Sequence, residues 1–253
     1  MRWTLLAFVV AGCKVVDAPD NLEELMVFGF DNFEDPASDV AAVVALLPLL
    51  EENSEELADG YRISTLGQQS LDRAEVDVTI EDEIAGAMGM VSYRHMVDPV
   101  VGVAFSKNKD ELFDGITEFS VRDLSDPGCF FAHSCDTYTQ VVEETAAVVL
   151  IGDSRRKYTQ TIRWIEHPEV GPIAAIRSLS PDPILFSTDL IRVNQQYGMI
   201  YIIPNGSGAT RAEAFWVDGT VLGLDVPDSF SVDTAVNRMG STAENVDAVL
   251  DEQ

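Results

Sequence analysis

The chain has 253 residues, 46% of them hydrophobic, with 16 Lys+Arg against 43 Asp+Glu and a formal net charge of −27. That length and composition supply a sizeable core for one domain, and ordinary Gly and Pro usage argues against bulk disorder. A surface this acidic repels nucleic-acid phosphates and anionic head groups, so no nucleic-acid partner is expected.

At the amino terminus, Arg2 precedes an apolar run from Trp3 to Val10, which stops at Ala11-Gly12-Cys13. A spanning helix needs about 20 apolar residues, so this run is too short to cross a bilayer. The order basic, apolar, small is that of a secretory signal. Val10-Ala11-Gly12-Cys13 resembles the lipobox of bacterial lipoproteins. The resemblance implies a signal peptide at residues 1–12, lipid attachment at Cys13, a tether at 13–21 and a single globular domain at 22–253. It also implies a membrane partner through the lipid anchor. Lys14, where an Asp would retain the protein in the inner membrane, implies the outer membrane of the cell envelope. The rival reading is a hydrophobic first strand with an incidental cysteine.

Leu25 to Phe30 reads as a first strand or buried segment. Asp31-Asn32-Phe33-Glu34-Asp35 is acidic enough for calcium but lacks the Gly and distal Glu of an EF-hand loop, so a solvated acidic face is the reading. Asp35-Pro36 is a helix start, with the cap at Asp and Pro in the first turn. The helix carries Val40, Val43, Val44, Leu47 and Leu50 as its apolar stripe, and Pro48 is expected to kink or split it. An acidic continuation from Glu51 ends at Gly60. Residues 61–128 read as mixed and loop-rich, with short strands near 76–80 and 100–105 and a helix near 109–117.

Cys129 and Cys135 are the two cysteines left once Cys13 is assigned to the anchor, and a disulfide is expected for an exported chain. A metal site using Cys129, His133 and Cys135 is the alternative. Residues 138–151, 158–166, 173–179, 184–194, 199–203 and 209–217 are β-rich. Asn205-Gly206-Ser207-Gly208 is a hairpin turn. Val232, Ala235, Val236, Met239, Ala243, Val246, Val249 and Leu250 form one stripe of a closing amphipathic helix.

Val148 to Ser154, ending Gly152-Asp153-Ser154, resembles the first block of GDSL/SGNH hydrolases, which implies Ser154 as nucleophile. That chemistry needs a histidine and an orienting acid. The family's late Asp-x-x-His is missing, because residue 164 is Trp where His167 would need an Asp. A turn at residues 152–155 is therefore expected. His95 and His133 read as surface or structural, and Arg211 and Glu213 as a solvated pair on one strand face.

The predicted fold is α+β: an antiparallel β-meander sheet with an N-terminal helix and a long C-terminal amphipathic helix packed on it. This order resembles the START-like (SRPBCC) helix-grip fold, which implies an apolar cavity between the sheet and the last helix, lined here by Trp164, Phe215, Trp216 and Met239. With no catalytic constellation, metal cluster or cofactor motif, the expectation is a non-enzymatic envelope lipoprotein binding a hydrophobic small molecule or lipid. The alternative is a structural or assembly partner of other envelope proteins; a hydrolase using Ser154 ranks third.

Overall fold

The computed structural model describes residues 17–105, 115–148, 152–221, 224–225 and 228–253. The signal segment and the first four residues of the tether, Cys13 among them, lie outside the described residues.

Three helices open the described chain. In α1 (Leu22–Asp31), the Asn21 side chain accepts from the Glu24 N–H. This is a good N-cap; Leu25 to Phe30, expected as a first strand or a buried segment, is helix with Leu25, Met26 and Phe30 buried. The Asp35 side chain caps α2 (Pro36–Glu52), and the helix runs through Pro48 without splitting. The buried face of α2 is Asp39, Ala42, Val43, Leu46 and Leu50, while Val40 and Val44 are exposed. The stripe is thus rotated from the expected one, and the rotation carries Asp39 into the interior. The acidic continuation is a separate helix, α3 (Ser54–Asp59), ended by Gly60 at φ 98°.

Residues 61–128 differ from expectation. They hold β1 (Tyr61–Leu66), α4 (Gln68–Arg73), β2 (Ile84–Tyr93), α5 (Val97–Ala104), β3 (Ile116–Asp123) and the start of α6 (Pro127–Phe131). Residues 76–80 form no strand. Most of the segment near 100–105 is the end of α5, a short helix whose valines are buried together. Of the helix expected near 109–117, residues 109–114 lie outside the described residues, and Ile116 opens a strand.

The second half is the meander: β4 (Thr137–Val148), β5 (Gly152–His167), β6 (Gly171–Ser180), β7 (Leu185–Phe186), β8 (Ile191–Asn205), β9 (Gly208–Val221) and β10 (Leu224–Asp225). Of the expected strand 184–194, residues 185–186 form β7 and 191–194 open β8, which runs on through the expected 199–203 with a bulge between Val193 and Gln195. The hairpin at Asn205–Gly208 is present, with Gly206 at φ 58°. Gly152 to Arg155 are strand residues of β5, with Val148 paired to Gly152; the reversal between them lies outside the described residues.

All pairings are antiparallel, in the order β1-β2-β9-β8-β6-β5-β4-β3, with β10 on β9 and β7 on β5. Alternation along the strands sends side chains to two faces, and each face has its own core. The outer face packs Ile165, Ile173, Ala175, Met199, Ala214 and Trp216 against α1 and α2. The inner face packs Ile162, Trp164, Ala174, Ile176, Ile200 and Ile202 against α5 and the closing helix α7 (Asp228–Asp251). Met239, Ala243 and Val246 of the expected stripe are buried, whereas the side chains of Val232 and Ala235 lie outside the described residues. Gly89 of β2 makes room for α7: a Cβ there would meet Val236 at 3.1 Å and Met239 Sδ at 3.2 Å. Asp247 fastens the other end, accepting from the Arg94 backbone N–H at 3.0 Å. A large antiparallel sheet closed by a long last helix is the expected α+β class. Among the described residues, no helix is long and apolar enough to cross a membrane.

Candidate binding site on the inner sheet face

Several polar groups line the inner face of the sheet. On β4 and β5 the register pairs Gln140 with Gln160 and Glu144 with Arg156. Gln140 Nε2 donates to Gln160 Oε1 at 3.1 Å, and Arg156 Nε donates to Glu144 Oε1 at 2.5 Å. The Tyr158 hydroxyl donates to the other Glu144 oxygen at 3.1 Å, and the Arg156 guanidinium lies 4.7 Å above the Tyr158 ring. Toward the other side of the sheet, Arg211 Nη2 meets Glu213 Oε2 at 2.6 Å on β9, and Arg211 Nη1 donates to the Tyr93 hydroxyl at 3.5 Å.

The pair Arg211–Glu213, expected to be solvated, faces inward instead. Burial opposes the Arg211 charge, but Glu213 and Tyr93 outweigh it and hold its pKa above the ordinary value. Burial likewise opposes the Arg156 charge, and Tyr158, Glu144 and Glu213 together outweigh it. Glu213 acts on Arg156 although β8 and β6 lie between their strands, so the two ion pairs belong to one electrostatic neighbourhood. The side chains of Arg156, Arg211 and Glu213 keep 16%, 15% and 19% exposure.

The four expected cavity residues separate. Met239 is buried on the inner side of α7, beside Gly89. Phe215, partly exposed, shares the inward parity of Glu213. Trp164 is also on the inner face but is taken up by other rings: it stacks on Phe130 at 5.1 Å and on His133 at 4.5 Å, and its indole N–H donates to the Phe130 carbonyl at 3.2 Å. Trp216 lies on the opposite face, packed edge-on to Phe30 and donating to the Ser64 carbonyl at 2.9 Å. One residue of offset on β9 makes that difference, because neighbouring side chains on a strand point oppositely.

Cys129 and Cys135 are joined to each other, with Cα atoms 5.3 Å apart, and the loop they close carries Phe130 into the inner core. His133 stacks on Trp164 and sets its Nε2 3.3 Å from Asp98. Among the described residues, no group of three His, Cys, Asp or Glu is placed to hold a metal ion. Ser154 is a strand residue whose hydroxyl donates to the Ala146 carbonyl at 3.4 Å. His167 sits at the far end of β5, where its Nδ1 accepts from the Glu169 and Val170 N–H groups. Sequence reasoning missed Arg156, Glu144 and Tyr158. Their signal was period-two alternation that places charge on the same face as Ile162 and Trp164.

No protein family matches the chain, and no curated protein is similar to it in sequence. Solved structures are similar in fold. A START superfamily protein from Mycobacterium smegmatis is 9% identical, with 66% of this chain and 97% of that chain covered and a TM-score of 0.41. Human StAR-related lipid transfer protein 5 is 12% identical, with 69% and 79% covered and a TM-score of 0.41. The likeness is one of fold alone.

Proposed function

We propose that this chain is a lipid-anchored protein of the bacterial envelope, held by Cys13 in the outer membrane. Its domain binds an amphipathic lipid or hydrophobic small molecule between the inner sheet face and α7. The role is binding, not chemistry. One observation carries the ligand reading: two ion pairs, Arg156–Glu144 and Arg211–Glu213, stand on the inner face that also carries the apolar side chains packed against α5 and α7, with Arg156, Arg211 and Glu213 partly exposed. Buried charge is retained at a cost, and a few placed polar groups on an apolar surface are what fix the orientation of a ligand with one polar end. Phe215 and Met239 would contact its apolar body.

Native mass spectrometry of the extracted protein, followed by lipid analysis, tests the reading. A co-purifying amphiphile is expected, displaceable by a fluorescent fatty acid, with weaker probe binding in Phe215→Ala. Absence of both ligand and probe binding would leave the domain as an assembly partner. The anchor has its own test: labelled palmitate should enter the protein and be lost in Cys13→Ser, and label retained in that variant would sink the anchor.

A further inference from the structure

The outer face holds a second charged cluster that the inner site does not use. Arg163 on β5 and Arg177 on β6 have buried side chains, 8% and 7% exposed. Their guanidinium carbons lie 5.3 and 4.8 Å from the Phe33 ring centre. Both reach one carboxylate: Arg177 Nη2 donates to Glu34 Oε1, and Arg163 Nη2 lies 3.6 Å from Glu34 Oε2. Glu34 itself is 65% exposed, in the short link between α1 and α2. Behind them Asp39 is fully buried, with Oδ2 3.2 Å from Arg163 Nη1 but out of line for a hydrogen bond.

Among the described residues, nine buried side-chain atoms have no hydrogen-bond partner, and seven belong to this cluster: both Asp39 carboxylate oxygens, Nε and Nη1 of Arg163, the same two atoms of Arg177, and the Tyr201 hydroxyl. Buried donors without partners are rare, and so dense a group marks a place for water or an ion. Four of the seven are guanidinium nitrogens, which stay charged and cannot act as acceptors. Burial pushes the Asp39 carboxyl up to about 7, with Glu34 and Asp35 adding to the rise and Arg163 and Arg177 opposing it. Near neutrality and below, two cations therefore face one anion, and that anion is mostly in solvent. Two of the chain's 16 basic residues are placed side by side in the interior of a protein of net charge −27.

We propose that Arg163 and Arg177 form a clamp for the oxyanion of a small ligand, a phosphate or carboxylate group, and that Glu34 is the internal occupant this group displaces. The fork of each guanidinium suits two-point contact with such a group. Displacing Glu34 returns an already exposed carboxylate to water, so exchange costs little. Phe33 supplies the floor under both guanidiniums. The clamp lies across the sheet from the inner site and is independent of it.

Titration of the protein with inorganic phosphate, and separately with acetate, at constant ionic strength tests the clamp by calorimetry and by the NMR signals of the arginine Nε–H groups. Saturable shifts at Arg163 and Arg177 are expected, with a Kd on the order of millimolar. Saturation by phosphate alone assigns a phosphate-bearing ligand, and by acetate alone a carboxylate-bearing one. Glu34→Gln, a change at an exposed position, should tighten binding at least about tenfold by emptying the clamp. Arg177→Lys should weaken it by a similar factor through loss of the fork. With acetate, whose charge is constant over this range, Asp39→Asn should remove the tightening that the unchanged protein shows as pH falls through about 7. If neither anion saturates the protein or Glu34→Gln, the clamp is overturned and the cluster is only structural.

Discussion

The two faces of the sheet bury charge in different ways. On the inner face each arginine takes its carboxylate from the sheet itself: Glu144 stands opposite Arg156 in the β4–β5 register, and Glu213 is two residues from Arg211 on the same strand. The register sets the geometry before any helix packs, and of these atoms only Arg211 Nε lacks a partner. On the outer face the arginines come from β5 and β6 but their acids come from α2 and the link before it. Two elements that dock as bodies align single hydrogen bonds less well, and most of the unpartnered polar atoms are there. Pairs internal to the sheet are set by its register, whereas pairs made across layers leave more of their buried polar atoms without partners.

The largest effect should come from breaking an inner pair. Glu144→Ala takes the carboxylate from a mostly buried Arg156 and removes the acceptor of the Tyr158 hydroxyl. A loss of about 3–5 kcal/mol is expected in urea unfolding. On the outer face, Gly29→Ala puts a Cβ 2.4 Å from the Tyr201 hydroxyl oxygen, and crowding that fully buried ring should cost about 2–3 kcal/mol by the same measurement. The double change Cys129→Ser, Cys135→Ser opens the loop that presents Phe130 to Trp164. It should cost roughly 2 kcal/mol, and non-reducing mass spectrometry of the unchanged protein should find no free thiol at these positions.

The last effect depends on pH. Asp39 has its carboxyl raised from 3.8 to about 7, chiefly by burial, so the folded state holds a proton there that the unfolded chain releases. Its contribution is fully present below 3.8 and is lost as pH rises through about 7. Asp39→Asn, which mimics the protonated form, should leave the thermal midpoint unchanged at the acid end and raise it near neutrality. A midpoint lowered at both ends would mean that the outer cluster needs the Asp39 charge, which would remove the contrast between the faces.

Much of the second half was legible, because long alternating strands and one apolar stripe are signals that local composition carries. The first half was not. The middle of β2, residues 85–90, is Ala, Gly and Met, poor strand formers, and its glycines leave room for Trp216 and α7: a Cβ at Gly86 would sit 2.4 Å from Trp216 Nε1. The helical state of Leu25–Phe30 was hidden by an apolar run that the Asn21 cap decides. For the site, the alternation of β5 was readable, including Arg163 on the face opposite Trp164. The depth of those charges was not, because it depends on α2 turning Asp39 inward and on α7 closing over the other side.

The position of Trp216 has a consequence for how the chain acquires its shape. Phe30, near the start of the domain, packs against Tyr197 and Trp216, and β2, beyond its local pairing with β1, is joined to the rest of the sheet through β9. Contacts so remote in sequence impose a high entropy cost on closure and slow the search. Helices α1 and α2, early in the chain, therefore have no settled home until the β8–β9 hairpin exists. The early part of the domain should be the late part to fold, and a chain emerging amino-end first would stay pliable until its last strands arrive.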